Sequence, residues 1–137
     1  MGQLIDTSVI VNLERRNAPI EELLNVGGGD SVGIAAVSIA ELIVGVLRAS
    51  NDRERAETQV YLDGINEHVP VMPFDARAAG EYARLLVDLR RRGAMIGVHD
   101  LQIAATALSL GFAVLTDNPR DFERVPGLEV RMPGWQT

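Results

Sequence analysis

The sequence predicts an α/β protein with a mostly parallel sheet and helices on both faces. Two observations carry this reading. Short apolar, β-branched runs alternate with longer segments whose apolar residues recur at helical spacing. Hydrophobic residues make up 47% of the 137-residue chain, enough to build one core of ordinary size, so residues 1–137 are expected to form a single domain.

Leu4-Ile5 reads as a short buried strand. Val9, Leu13, Ile20, Leu23 and Leu24 then follow helical spacing, and "NVGGGD" (25–30) reads as a loop. Its glycines lack the spacing and the strand-to-helix context of a phosphate cradle. Val32 to Ala36 predicts a second strand, and a helix follows from Ser38 to about Ala49. "SND" (50–52) breaks it and offers a cap for the next helix, over about 53–67. "VPVMPF" (69–74) is a strand bounded by prolines. Asp75 caps a long amphipathic helix that ends in Arg90–Arg92 and Gly93, basic residues that suit the negative end of the helix dipole. Asp100 opens a further helix, which Gly111 ends. Phe112–Leu115 is a strand, "TDNPRDF" a turn into a short helical piece, and "LEVRM" (128–132) a last strand.

Composition excludes several chemistries. The absence of cysteine rules out disulfides, thiolate metal sites and cysteine nucleophiles. The 13 basic residues are all arginine, so no lysine is present to serve a P-loop or form a Schiff base. The longest apolar run, Gly33 to Leu47, is broken by Ser38 and Glu41 and is too short to span a bilayer. No signal peptide is evident, and a soluble cytoplasmic protein with no membrane association is expected. A net charge of −6 is unlike the basic footprint of most nucleic-acid binders. Nucleic acid is then a ligand only if bound cations or local arginines override the global sign.

Four acids are placed alike. Asp6 closes the first strand, Glu41 lies one turn into the helix after the second, Asp100 starts the helix before the fourth, and Asp117 directly follows the fourth. Ligand sites in open α/β sheets lie outside the carboxyl ends of the strands, so these acids can converge there. Singly, each has a local explanation. Asp6 could cap the helix beginning near Ser8, and Ser38–Glu41 matches a capping box. Asp100 suits an N-cap, and Asp117 before Asn-Pro suits an Asx turn. Together, Asp6 and Glu41 stand in strongly apolar surroundings with no local arginine. Converging carboxylates demand a cation or a raised pKa. Oxygen-only donors select Mg²⁺, with Mn²⁺ as a substitute. Thr7, Ser8 and Thr116 are expected to orient the carboxylates and metal-held water.

The segments "LIDTSVIV" (4–11), "VSIAELIVGV" (37–46) and "GVHDLQIAATALSLGFAVLTDNPRDFERVPGL" (97–128) together resemble the PIN domain, in particular the VapC-type toxins of bacterial toxin–antitoxin pairs. The resemblance implies a Rossmann-like three-layer α/β/α sandwich and Mg²⁺-dependent endoribonuclease activity. It also implies a homodimer and inhibition by a cognate antitoxin. Asp6, Glu41 and Asp100 match the acidic core, with Asp6 and Asp100 assigned to the metal. Relatives carry Thr-x-Asn or Thr-x-Asp after the fourth strand, whereas Thr116-Asp117-Asn118 places the acid one position early. Asp117 is the candidate for the fourth acid, with Asn118 or Asp121 as alternatives.

Hydrolysis by metal-activated water leaves 5′-phosphates and does not use the 2′-hydroxyl. Arg15, Arg16 and Arg48 are candidate guides for an RNA substrate, against a reading as ordinary surface charge. An arginine of the antitoxin would pair with the acids. Competing readings are a PIN-type nuclease acting on DNA, a non-catalytic partner-binding module, and a metal-dependent phosphatase.

Overall fold

The computed structural model describes residues 2–135. In chain order the elements are β1 (Gln3–Ile5), α1 (Thr7–Arg15), a 3₁₀ turn (Ile20–Glu22), α2 (Leu23–Val26), β2 (Val32–Ala35), α3 (Ala36–Leu47), α4 (Asp52–His68) and β3 (Val71–Met72). They continue with α5 (Ala76–Arg91), α6 (Val98–Leu110), β4 (Ala113–Leu115), α7 (Pro119–Phe122) and β5 (Val130–Arg131). The five strands form one sheet in the order β3-β2-β1-β4-β5, with every pairing parallel.

Side chains alternate across this sheet as the two-residue strand period requires. Leu4, Ala35 and Val114 face a core built with Leu85 and Leu89 of α5, Leu101, Ile103 and Ala104 of α6, and Phe122. Ile5, Ile34 and Leu115 face the opposite core, with Val9, Ile10 and Leu13 of α1, Leu42 and Val46 of α3, and Leu62 and Ile65 of α4. The expected three-layer α/β/α sandwich is therefore present. The strands are short, and the inner ones, β1, β2 and β4, are covered on both faces, which is why they read as apolar runs rather than as alternating patterns.

Two caps match the sequence reading. The Asn51 carboxamide oxygen accepts from the Glu54 N–H at 2.9 Å, and Asp75 accepts from the Ala78 N–H at 3.0 Å.

Three local expectations are corrected. The helix expected to continue from Val9 to Leu24 stops at Arg15. Asn17 takes a left-handed φ of 52° and Pro19 follows, so the chain turns before the 3₁₀ segment. The helix expected from Ser38 begins at Ala36, straight out of β2. Ser38 is fully buried inside α3 and its Oγ has no partner among the described residues, so no capping box forms and Glu41 is released from that duty. Asp100 does not cap α6. Gly97 occupies that position and Asp100 lies in the first turn.

The strand order fixes where a ligand can sit. From β1 the chain proceeds to β2 and β3 on one side, then crosses to β4 on the other. The switch point lies at the carboxyl ends of β1 and β4, where the crevice between diverging connections opens. Asp6 and Thr116 are the first residues beyond those two strands.

Candidate metal centre and nuclease site

Asp6 is only 6% exposed, yet it does not use its carboxylate as a helix cap. Its Oδ2 accepts from the Ser8 hydroxyl at 2.7 Å and from the Thr116 hydroxyl at 2.8 Å. Each hydroxyl has one proton to give, and both are committed to Asp6 in this arrangement. The same hydroxyl oxygens accept from backbone: the Asp117 N–H reaches Ser8 Oγ at 3.1 Å, and the Asn118 N–H reaches Thr116 Oγ1 at 2.9 Å. Two relays therefore run from the 117–118 backbone through a hydroxyl to one oxygen of Asp6. They fix the carboxylate and leave its second oxygen for a ligand.

Asp6 lines an open cleft of about 480 Å³ with Thr7, Ser8, Glu41, Asp100, Asn118, Arg120 and Asp121. Glu41 Oε1 accepts from the Thr7 hydroxyl at 3.2 Å, and its Oε2 lies 3.5 Å from His99 Nδ1. Asp100 faces this group of acids. Burial, then the charges of Asp6, Asp121 and Glu41, push its pKa up to about 6, while His99 opposes the rise. The acids named there are the ones that line the cleft. They form a like-charge cluster that a cation would relieve.

The donor set fits a hard divalent ion, being oxygen throughout with no cysteine and with histidine only at the edge. Among the described residues no three Asp, Glu or His side chains form a ready-made metal cage. Asp6 and Asp100 both line this cleft.

The raised Asp100 pKa makes a prediction for the metal-free protein. The folded state holds this proton more tightly than the unfolded chain, so the contribution to stability is present below about pH 4 and is lost as pH rises through about 6. Asp100→Asn removes the cost of the charge. At pH 7.5 without metal the variant is expected to melt roughly 3 °C above the parent. That corresponds to about 1 kcal/mol after discounting for partial exposure and the lost helix-dipole interaction. The gap should close by pH 4; a gap of constant size across that range would refute the assignment.

The structure corrects the expectation for Asp117. Its Oδ1 accepts from the Trp135 indole N–H at 2.9 Å and its Oδ2 from the Asn12 carboxamide at 3.0 Å, and it does not line the cleft. Asn118 and Asp121 line it instead.

The three nominated arginines do not line the acidic cleft. Arg15 and Arg48 line a separate cleft between α1, α3 and α4, among Glu14, Glu54 and Glu57. Arg16 stacks on Trp135 at 4.4 Å and donates from Nε to Asn12. The arginine that lines the acidic cleft is Arg120, which the sequence reading did not nominate.

Comparison with known proteins gives the family. The PIN domain model matches residues 4–128. The chain belongs to the PIN-domain family. Within it, the chain is 35% identical to Ribonuclease VapC1 of Rickettsia felis, over 95% of each chain. It is 31% identical to the tRNA(fMet)-specific endonuclease VapC of Shigella flexneri, over 91% of this chain and 92% of that one. These similarities place it with the VapC group of PIN domains. The crystal structure of VapBC-5 from Mycobacterium tuberculosis, a member of the VapBC family of toxin–antitoxin systems, superposes with a TM-score of 0.76 at 32% identity, covering 96% of both chains. The PIN-fold sheet described above thus places Asp6, Glu41 and Asp100 of this chain around one cleft.

Proposed function

We propose that this PIN domain, spanning the whole chain, is a divalent-metal-dependent endoribonuclease and the toxin of a toxin–antitoxin pair. The observation that carries the reading is the cleft in which Asp6, fixed by two hydroxyl relays, meets Asp100 and Glu41. The ribonuclease names of its relatives support the substrate class.

Asp6 and Asp100 hold the ion, Mg²⁺ or Mn²⁺. When bound, such an ion neutralises phosphate oxygens and acidifies a coordinated water. The relays through Ser8 and Thr116 keep the Asp6 carboxylate from rotating as charge develops, which is the preorganisation that catalysis needs. Glu41, held at Oε1 by Thr7, sits to take a proton from the attacking water, and His99 beside its Oε2 offers the next acceptor. Arg120 at the cleft rim meets a phosphate of the strand. Arg120→Ala is expected to raise the KM for RNA about tenfold while leaving Mn²⁺ affinity unchanged, as steady-state kinetics and calorimetry would report.

The partner is a cognate antitoxin acting in the cytoplasm on a homodimeric toxin, with an arginine of the antitoxin entering the cleft to pair with the carboxylates. Membership of VapBC-5 in a toxin–antitoxin family supports a protein partner. The exposed Ile43, Val44 and Leu47 of α3 and Val60 of α4 supply apolar surface for it to cover. No helix among the described residues is long and apolar enough to cross a membrane.

The deciding experiment incubates purified protein with RNA, with DNA and with a generic phosphate ester, in Mg²⁺ or in EDTA. RNA cleavage that needs Mg²⁺ and leaves 5′-phosphate ends is expected. Ends carrying 2′,3′-cyclic phosphate, or cleavage that persists in EDTA, would falsify the metal-water reading.

A further inference from the structure

Asp117, set aside above as a ligand, occupies a junction. Its two carboxylate oxygens accept from two distant parts of the chain: Asn12 on α1, and Trp135 near the chain's end. The Asn12 amide has one orientation that satisfies its neighbours. Its NH₂ must face the Asp117 carboxylate, which only accepts, and its oxygen must face Arg16 Nε, which only donates at 3.1 Å. Arg16 in turn lies over the Trp135 ring at 4.4 Å, a distance suited to cation–π attraction. Asp117, Asn12, Arg16 and Trp135 therefore form a closed ring of four contacts, three hydrogen bonds and one stacking interaction.

The ring grips the residue whose backbone begins one relay to the metal centre. The Asp117 N–H donates to Ser8 Oγ, and Ser8 donates to Asp6 Oδ2. The next N–H, of Asn118, feeds the second relay through Thr116. Without a hold on the Asp117 side chain, the turn between β4 and α7 would keep its backbone connections and the Thr116 hydroxyl on Asp6, but the N–H groups of residues 117 and 118 that feed both relays would be less firmly placed.

We propose that Asp117 and Trp135 are positioning residues, which tie the end of the chain and α1 to the 116–118 turn and so set the Asp6 carboxylate for metal binding. This rests on the proposed metal centre and goes beyond it. It assigns a site function to a tryptophan outside the cleft, and it changes Asp117 from an expected ligand to a bracket.

The test measures Mn²⁺ affinity by calorimetry on the full chain for the parent, Asp117→Asn, Trp135→Phe and the double variant. Far-UV circular dichroism verifies that each folds. Outer partners of metal ligands typically change affinity by about 10–100-fold when removed. Here Asp117 stands one hydrogen bond beyond such a partner and Trp135 two, so each single variant is expected to weaken Mn²⁺ binding by roughly 3–10-fold. The double variant should be no weaker than the weaker single one, because both act through one bracket.

Loss of affinity in Asp117→Asn alone, with Trp135→Phe binding like the parent, would make Asp117 a ligand and overturn the proposal. Parental affinity in both singles, even with lowered melting temperatures, would overturn it too, leaving the ring a purely structural staple. If the parent itself bound no Mn²⁺, the metal centre would fail first and the bracket with it. Because trimming Trp135 to Phe keeps an aromatic ring under Arg16, the affinity change reads the lost N–H rather than a lost packing surface.

Discussion

Asp6→Asn protein is expected to fold, to melt close to the parent, and to leave RNA uncut. The substitution is nearly isosteric. The carboxamide oxygen can still accept from Ser8 and Thr116, which lie 2.7 and 2.8 Å from Asp6 Oδ2, so the relays persist. The NH₂ group then occupies the place of the free carboxylate oxygen and directs a donor at the position of the cation. Removing an anionic oxygen from the proposed cation site and aiming a donor at it would displace the ion that neutralises the reacting phosphate, which should cost several kcal/mol, or at least about 10³-fold in kcat/KM. Single-turnover cleavage of a labelled RNA, paired with Mn²⁺ titration, checks both halves. A variant that cuts at a rate near the parent's would remove Asp6 from the chemistry.

The largest effect on stability is expected at Phe122. This ring is 1% exposed and lies in the core that joins α5, α6 and β4. It closes α7, the four-residue helix on which Arg120 and Asp121 are mounted. So short a helix cannot hold itself; packing must do so. Phe122→Ala should cost about 3–5 kcal/mol, or roughly 10–20 °C in melting temperature. Phe74 is the control. It is 42% exposed and meets Tyr82 edge-on at 5.8 Å, so its loss should cost only about 1 kcal/mol. Thermal denaturation of the two variants gives the comparison; equal losses would mean that α7 does not depend on its core anchor.

The pH dependence of the metal-free protein joins these two effects. Asp100 is costly as a charge first because it is partly buried and then because it stands among Asp6, Asp121 and Glu41, a crowding of like charges that a divalent ion would relieve. Asp100→Asn should therefore stabilise the metal-free chain and disable the proposed metal site together.

The amino-acid sequence by itself determined the layered architecture and the meeting of three acids. Parallel strands linked by helices must all end on the same side of the sheet. Asp6 after β1, Glu41 just beyond β2 and Asp100 at the start of the helix before β4 were therefore placed where they could converge once the strands were located. Gly111 with φ 70° and the caps Asn51 and Asp75 were legible for an equally local reason: a backbone conformation or an unpaired N–H is satisfied within a few residues.

Tertiary structure alone decided the rest. In a turn, neighbouring side chains leave the backbone in different directions, so sequence position did not tell Asp117, which turns to Asn12 and Trp135, from Asp121, which turns to the cleft. Ser38 looked like a cap because capping boxes are read from spacing, but β2 runs directly into α3 and carries that serine into the interior. The roles of Arg16 and Arg120 were likewise hidden. A long cation takes its purpose from whatever surface its tip reaches, and that surface is assembled from segments a hundred residues apart.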